Sequence, residues 1–333
     1  MFKIIYIPAV TKIKNKKLKD YLKCFFYNFV IIFRNFNLNK KTRPDTSGYI
    51  DTALHTNANI LELPYSLTIF LSKFLNFFFD GIFINFKFTN SRNKFETYSK
   101  LLKLSNKFKI KKVIIDIRDG SKDTISDELI ARYDFVIKRE KNKSIDNKKY
   151  LSTMLPCTNL DYKISKKIEN INWNKFGHSI PNNKFKFDIY FSGSLVSKKR
   201  ADIYNFLQNK NLNLFFNTEK GFNKKQFSDN IYNSRINLAL PGHGEFTFRH
   251  LEILCNCSFL ICDKEINDME LPLPIKDGED FITYENEKDL LEKINYYLKN
   301  DYLRSKIALN GRKQLEKYYS PKNHGENILK KIF

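Results

Sequence analysis

Residues 235–263 read RINLALPGHGEFTFRHLEILCNCSFLICD, and this stretch decides the fold of the chain. The apolar runs at 236–240 and 258–262 predict two buried strands. Between them, the PGHG sequence at 241–244 breaks the first strand, and apolar residues then recur at helical spacing after Thr247, a suitable N-cap. The stretch therefore predicts a strand–loop–helix–strand unit in which a glycine-rich loop leads into a helix N-terminus.

A loop and helix start of this kind suit a phosphate, because helix N-termini present N–H groups and a partial positive charge. Arg249 lies in the first turn, where a cation opposes the helix dipole unless an anion binds there. Glu252 follows three residues later on the same helix face. We expect Arg249 to hold a diphosphate and Glu252 a ribose hydroxyl. The alternative is an ordinary strand–helix turn in which the two residues form a surface ion pair.

A second loop carries a weaker signal of the same type. The predicted strand at 186–194 ends in Ser192-Gly193-Ser194, and a basic run that includes Arg200 opens the next helix. Small residues beside a cation favour a diphosphate contact, although a plain strand-to-helix turn explains the same residues. No GxGxxG motif accompanies the loop, which disfavours a nicotinamide or flavin enzyme, and no cofactor is expected.

The residues around the organising stretch also carry a family resemblance. They occur in the order Ser234, Arg235, Leu238, Pro241, Gly242, Thr247, Arg249 and Glu252, followed by a small apolar strand. This order resembles the donor-binding C-terminal domain of GT-B glycosyltransferases, most closely the exostosin-like and group 1-type sugar transferases. The similarity extends over residues 188–328. It implies an α/β, GT-B-like fold, with two Rossmann-like doubly wound domains facing a central cleft.

The resemblance also implies the domain limits and the donor site. Residues 1–170 form an acceptor-side domain, 171–186 a linker, 187–320 a nucleotide-sugar-binding domain, and 321–333 a C-terminal helix that crosses back to the first domain. The candidate donor-binding residues are Gly193, Ser194, Arg200, Arg235, Pro241, Gly242, Gly244, Glu245, Thr247, Phe248, Arg249 and Glu252. Many retaining members carry two glutamates with seven residues between them. Glu245 and Glu252 have a different spacing, so Glu245 is not given the first glutamate's role and the stereochemical outcome stays open.

A transferase that inverts the sugar needs a general base. Asp116 and Asp119 come at the carboxyl end of the predicted strand at 113–117, where ligands of open α/β sheets bind. Asp119 is the first candidate and His243 the second; the alternative for Asp119 is an Asp–Gly turn. No DxD motif stands in a convincing loop, so we expect catalysis without a metal ion.

Length and periodicity predict the other elements. A chain of 333 residues suits two domains. Strands are expected at 2–7, 81–86, 113–117, 134–138, 211–217 and 280–284. Helices are expected at 65–79, 92–108, 228–235, 287–299, 302–318 and 322–332, and a solvated lysine-rich loop at 138–149.

The net charge of +22 favours anionic partners such as phosphates, nucleic acid or an anionic membrane face. No zinc-finger spacing or RNP-type motif accompanies the charge, so nucleic acid is not an expected partner. The segment at 21–36 predicts either a core-facing helix or a membrane-surface helix. No signal peptide or long apolar run is evident, and the odd number of cysteines fits a reducing compartment. These features predict a cytoplasmic protein, peripheral on the inner face of the membrane in the second case.

The functional hypothesis is a glycosyltransferase that moves a sugar from a nucleotide-diphosphate sugar to a glycan or lipid-linked acceptor. Cell-surface polysaccharide or lipopolysaccharide synthesis is the setting that the resemblance implies. The acceptor side includes the polar region at 37–59, where Asp51 and His55 either share a helix face or lie in an exposed turn. The alternatives are a non-catalytic GT-B-fold protein that binds an anionic glycan or nucleotide, a nucleic-acid-binding protein, and a sugar-nucleotide epimerase.

Overall fold

The computed structural model describes residues 2–7, 54, 57–86, 94–118, 120–153, 185–218, 224–242, 244–272, 275–319 and 321–333. The chain divides into two compact units. Unit 1 comprises Met1–Met154 and Pro321–Phe333, and unit 2 comprises Leu155–Ser320. Most of the predicted linker, 171–184, lies outside the described residues, as do the segments at 21–36 and 37–53 with Asp51, and also His55.

Unit 1 is built on a six-stranded parallel sheet with the order β2-β1-β3-β4-β5-β6. Its strands are β1 (Phe2–Ile7), β2 (Ala58–Glu62), β3 (Gly81–Asn85), β4 (Lys111–Asp116), β5 (Phe135–Lys138) and β6 (Tyr150–Ser152). Its first four described helices are α1 (Tyr65–Phe70), α2 (Ser72–Phe78), α3 (Lys94–Lys107) and α4 (Asp127–Ala131).

Both faces of this sheet are covered, which is why its strands read as continuous apolar runs. One face packs Ile5 and Ile82 against helix residues such as Leu101. On the other face, Ile4 and Phe83 pack with Ile328, Leu329 and Ile332 of the C-terminal helix. The last helix of the chain therefore belongs to the core of unit 1.

Unit 2 holds a five-stranded parallel sheet with the order β11-β10-β9-β7-β8. Its strands are β7 (Phe187–Ser192), β8 (Leu214–Asn217), β9 (Ser234–Ala239), β10 (Leu260–Asp263) and β11 (Ile282–Tyr284). Its helices are α5 (Lys198–Gln208), α6 (Lys224–Tyr232), α7 (Phe248–Cys255), α8 (Glu287–Leu298) and α9 (Asp301–Tyr319), with a 3-10 turn at Lys264–Asp268. The C-terminal helix of unit 1, Pro321–Ile332, is then α10. Alternation of strands and helices on parallel sheets gives each unit the predicted doubly wound α/β architecture.

Most predicted elements are confirmed to within a few residues, and the exceptions have physical reasons. The helix expected at 65–79 is two helices that meet at Leu71. Strands β2 and β6 were missed because each is short and lies among polar residues. The helix expected at 228–235 ends at Tyr232, and Arg235 already belongs to β9.

The prediction of a solvated loop at 138–149 is wrong for the first part of that segment. Residues 138–142 are buried even though most of them are charged. Lysine content predicted exposure, but β5 carries these residues to the carboxyl edge of the sheet, where other charged groups pair with them.

None of the helices in the described ranges is long and apolar enough to cross a membrane.

Candidate functional site

The switch point of the unit 2 sheet lies between β7 and β9. The chain runs from β7 to β8 at one edge and then returns to the other side of β7 to form β9. Ligands of doubly wound sheets bind at the carboxyl ends of the strands where the order reverses. The two loops that begin there are 193–197 after β7 and 240–247 after β9, the same two loops that the sequence indicated.

Arg200, in the first turn of α5, ties these two loops together. Its Nη1 donates to the Ser194 carbonyl at 2.8 Å. Its Nη2 and Nε donate to the Leu240 carbonyl at 2.9 and 3.3 Å. The guanidinium is buried over the ring of Phe191. Arg200 therefore fixes the spacing of the loops, which the sequence prediction of a simple phosphate contact did not foresee.

The two glycines of the site allow this close approach. A Cβ on Gly242 would lie 2.9 Å from Arg200 Nη2, and one on Gly193 would lie 3.3 Å from Arg200 Nη1. Any side chain at Gly242 would displace the guanidinium. Packing around Arg200 is therefore tightest at Gly242, whereas a side chain at Gly193 would require only a small shift of Phe191 and Arg200.

Arg249, which follows β9, also contacts the end of β7. It lies in the first turn of α7, and its Nη2 donates to the Ser192 carbonyl at the end of β7, at 2.5 Å. Its Nη1 donates to Glu252 Oε2 at 2.7 Å, and its guanidinium stacks over the ring of Phe227, 4.1 Å from the ring centre. Arg249 and Glu252 are therefore ion-paired, but both are largely buried, so this is not the exposed surface pair of the alternative interpretation.

The two arginines lie close enough to influence each other. Burial lowers the pKa of Arg200, and the positive charge of Arg249 lowers it further. Two cations that destabilise each other at a helix N-terminus favour a bound anion, which would offset their repulsion.

The start of α7 is fixed by a reciprocal cap. The backbone N–H of Thr247 donates to Nδ1 of His250 at 3.1 Å, which completes a capping box. Burial of His250 lowers its pKa to about 4. The cap leaves the helix N-terminus ordered, and it assigns His250 a role that the sequence prediction missed because His is not the usual residue of a capping box.

A further ion pair lies at the carboxyl end of β10, beside the switch point. Lys199 Nζ is 2.5 Å from Asp263 Oδ2 and 3.3 Å from Glu265 Oε1. The pKa of Lys199 is raised, because these carboxylates outweigh the effect of its partial burial. The signal for Asp263 was its position at the end of a predicted strand, which the sequence analysis did not use.

The remaining donor-site candidates fall into two groups. Pro241, Gly244, Glu245 and Phe248 lie in or directly after the β9 loop, where the Pro241 carbonyl accepts a hydrogen bond from Ser197 Oγ at 3.2 Å. Arg235 lies at the other end of β9, 3.6 Å from Asp188 at the amino end of β7. The strand separates Arg235 from the loop by about 16 Å, so its prediction as a donor-site residue is not supported by the geometry.

Neither predicted catalytic base can be placed, because Asp119 and His243 lie outside the described residues. Asp116, the other acid singled out at the end of β4, is buried and fully engaged. It accepts hydrogen bonds from Nε and Nη2 of Arg118 at 2.7 and 2.8 Å, and Lys138 Nζ lies 3.8 Å away. These contacts occupy both carboxylate oxygens of Asp116, so the geometry does not support the prediction of Asp116 as an acid or base.

Within the described ranges, no three histidine, cysteine or acidic side chains come together as a metal site would require.

Comparison with known proteins confirms the resemblance for the C-terminal region. Residues 199–330 match a family model described as glycosyl transferase-like. No curated protein sequence matches the chain.

The fold is found in solved structures at low identity. An alpha-glucosyltransferase in complex with UDP and a 13-mer DNA with a central A:G mismatch is 10% identical, with a TM-score of 0.53, covering 99% of this chain and all of that chain (100%). The T4 phage BGT in complex with UDP-glucose is 14% identical, with a TM-score of 0.48 and coverage of 99% and 98%. Sucrose-phosphate synthase from Thermosynechococcus elongatus is 10% identical, with a TM-score of 0.48 and coverage of 100% and 99%. The alpha-glucosyltransferase match establishes the predicted GT-B-like fold.

Proposed function

We propose that this chain is a glycosyltransferase that uses a UDP-sugar donor bound at the carboxyl edge of the unit 2 sheet. The observation that carries the proposal is the convergence of Arg200 and Arg249 on the β7–β9 switch point, beside the N-terminus of α7. The glycosyl transferase-like family match over 199–330 supports the activity. UDP is the nucleotide bound by the structural relative with the same fold.

In this proposal the diphosphate lies against Arg249. A guanidinium carries more N–H donors than Arg249 uses on Glu252 and Ser192, so donors remain for phosphate oxygens. Negative charge grows on the diphosphate as the bond to the sugar breaks. Donors that are already fixed in place stabilise that charge without reorganisation, and Phe227 and Ser192 hold the Arg249 guanidinium still.

Glu252 would accept a hydrogen bond from the ribose while it orients Arg249. Its carboxylate is held by Arg249 Nη1 at one oxygen, Oε2, and Oε1 can face the nucleotide. Arg200 would act mainly through its hydrogen bonds, because its guanidinium keeps the two loops at the spacing that the diphosphate requires.

The acceptor belongs to the same proposal: a glycan or lipid-linked acceptor of cell-surface polysaccharide or lipopolysaccharide synthesis, glycosylated without a metal ion. The structural relative was solved with DNA, so oligonucleotides belong in the acceptor panel.

The test is release of UDP from a panel of UDP-sugars, with and without acceptors and with EDTA. We expect one UDP-sugar to be turned over, EDTA to have no effect, and Arg249→Ala to lose at least about 100-fold in rate, the size of effect seen when a fixed charge donor is removed. Arg235→Ala is the matched control, since Arg235 lies in β9, the strand that precedes α7, but at the opposite edge of the sheet from Arg249. No turnover of any UDP-sugar by the wild type, or equal loss in both variants, would overturn the proposal.

A further inference from the structure

The outer surface of helices α1 and α2 is aromatic, whereas an exposed helix face is ordinarily polar. Phe70, Phe74, Phe77 and Phe78 have 82%, 60%, 88% and 53% of their surface exposed. The rings of Phe74 and Phe78 lie 4.5 Å apart. Contiguous exposed apolar surface of this kind marks an interaction site, whereas single exposed apolar residues are normal.

These helices do not expose the face that would normally pack on the core, because that face is already buried. Thr68, Ser72 and Leu75 are buried, and Leu67, Ile69 and Leu71 pack against the core of unit 1. The phenylalanines lie on the opposite side, at helical spacing. The two helices therefore have one apolar face for the core and a second that nothing in the described part of unit 1 covers.

Lysines border this aromatic face. Lys73 is exposed on the same side of α2. Asn76 joins α2 to the turn after α3: its Nδ2 donates to the Lys107 carbonyl at 2.9 Å, and its Oδ1 accepts from the Lys109 N–H at 2.9 Å. This turn brings the exposed side chains of Lys107 and Lys109 beside α2. Asp80, the acidic residue after the helix, is engaged with the backbone N–H of Lys3.

We propose that the face formed by Phe70, Phe74, Phe77, Phe78 and the bordering Lys73, Lys107 and Lys109 docks on a bilayer that contains anionic lipid. A helical face with exposed phenylalanines and bordering lysines suits the lipid interface, where rings enter the acyl boundary and ammonium groups contact headgroup phosphates. This charge complementarity selects a lipid surface over a second copy of the chain, which has a net charge of +22 and repels itself.

This surface does not depend on the donor site, and its test does not use a sugar nucleotide. The experiment is co-sedimentation of the full chain with vesicles of phosphatidylcholine alone and of phosphatidylcholine with 30% phosphatidylglycerol, the latter chosen as an anionic probe at about 0.15 M salt. The aromatic variant is Phe70→Ser/Phe74→Ser/Phe77→Ser, and the charge variant is Lys73→Glu/Lys107→Glu/Lys109→Glu. The matched controls are Tyr302→Ser, which changes an aromatic residue with 80% exposure in unit 2, and Lys288→Glu/Lys306→Glu.

We expect the wild type to bind the anionic vesicles. The affinity should fall by at least about tenfold in the aromatic variant and by a similar factor in the charge variant, because both the buried apolar area and the positive charge of the lysines contribute to binding. The control variants should bind as the wild type does. Far-UV circular dichroism and thermal unfolding check that the variants fold.

Three results would overturn the assignment. The first is that the wild type does not sediment with either vesicle, and the second is that the aromatic variant binds the anionic vesicles as tightly as Tyr302→Ser does. The third is that the wild type is a dimer in solution and the aromatic variant is a monomer. The last result would show that a second copy covers the face. None of these outcomes affects UDP-sugar turnover, so failure of this inference and failure of the proposed function are distinguishable.

Discussion

The guanidinium of Arg249 donates a hydrogen bond to the backbone carbonyl of Ser192, 57 residues earlier in the chain. Arg249 follows β9 and reaches the end of β7, while Arg200 follows β7 and reaches Leu240 at the end of β9. Each arginine thus donates a hydrogen bond to a backbone carbonyl at the end of the strand that precedes the other arginine's helix. This reciprocal arrangement ties the donor-site hypothesis to the stability of unit 2.

Replacement of Arg200 by alanine should lower the free energy of unfolding of unit 2 by about 3 kcal/mol, because it removes bonds to two carbonyls and leaves the Leu240 carbonyl buried. Urea unfolding measures the change. Arg132→Ala is the control, since Arg132 is exposed and bonds only to the Asn106 side chain among the contacts described for it; it should change the stability by less than about 0.5 kcal/mol. Equal effects of the two substitutions would show that Arg200 is not a structural tie.

Gly242→Ala should act through Arg200. The added methyl would lie 2.9 Å from Nη2 and force the guanidinium away from the Leu240 carbonyl, at a cost of about 1–2 kcal/mol in unfolding free energy. Gly193→Ala should cost less, because its nearest contacts would be longer, 3.2 Å to Phe191 Cζ and 3.3 Å to Arg200 Nη1.

A double-mutant cycle provides the sharper test of this mechanism. In the Arg200→Ala background, Gly242→Ala should cost nothing further, since the atom that it displaces is absent. Additive losses would mean that the alanine destabilises the loop in some other way.

Acid should destabilise unit 2 through His250. Burial holds the pKa of His250 at about 4, below its ordinary value of 6.5, so the unfolded state binds the proton more readily. The stabilising contribution is fully present above pH 6.5 and is lost as the pH falls toward 4, by on the order of 3 kcal/mol.

The matched variant is His250→Gln, which keeps an acceptor for the Thr247 N–H but does not titrate. Its unfolding free energy, measured from pH 7 to pH 4, should fall less steeply than that of the wild type. Parallel profiles for the two proteins would contradict a neutral, buried His250.

Glu252→Gln should weaken donor binding without unfolding the protein. The substitution removes the charge that orients Arg249 and the proposed acceptor for the ribose, so we expect KM for the UDP-sugar to rise by about tenfold. Steady-state kinetics separates this change from an effect on kcat. The control is Glu128→Gln, on the exposed side of α4 in unit 1. A loss confined to kcat would place Glu252 in the chemical step.

The features that were predicted correctly are those that a local sequence pattern encodes. Apolar runs at 236–240 and 258–262 located β9 and β10, and the glycine-rich loop located the start of α7. Arg249 and Glu252 were found because three-residue spacing on a helix places them on one face.

Contacts between residues that are far apart in the chain could not be predicted from such patterns. Nothing near Arg200 indicates that it bonds to Leu240, since that contact depends on β9 returning beside β7. The distance of Arg235 from the loop was missed for the same reason: Arg235 is close to the loop along the chain, but an extended strand carries it to the opposite edge of the sheet. The Phe227 ring under Arg249 comes from a helix that local pattern does not relate to α7.

The central claim is tested most directly by the thermal midpoint of the wild type, Arg249→Ala and Arg235→Ala with UDP, GDP, ADP, CMP and dTDP. A ligand that binds the folded state raises the midpoint. The account predicts that UDP stabilises the wild type and Arg235→Ala but not Arg249→Ala. An equal shift in all three proteins, or none with any nucleotide, would contradict a diphosphate site at the β7–β9 switch point.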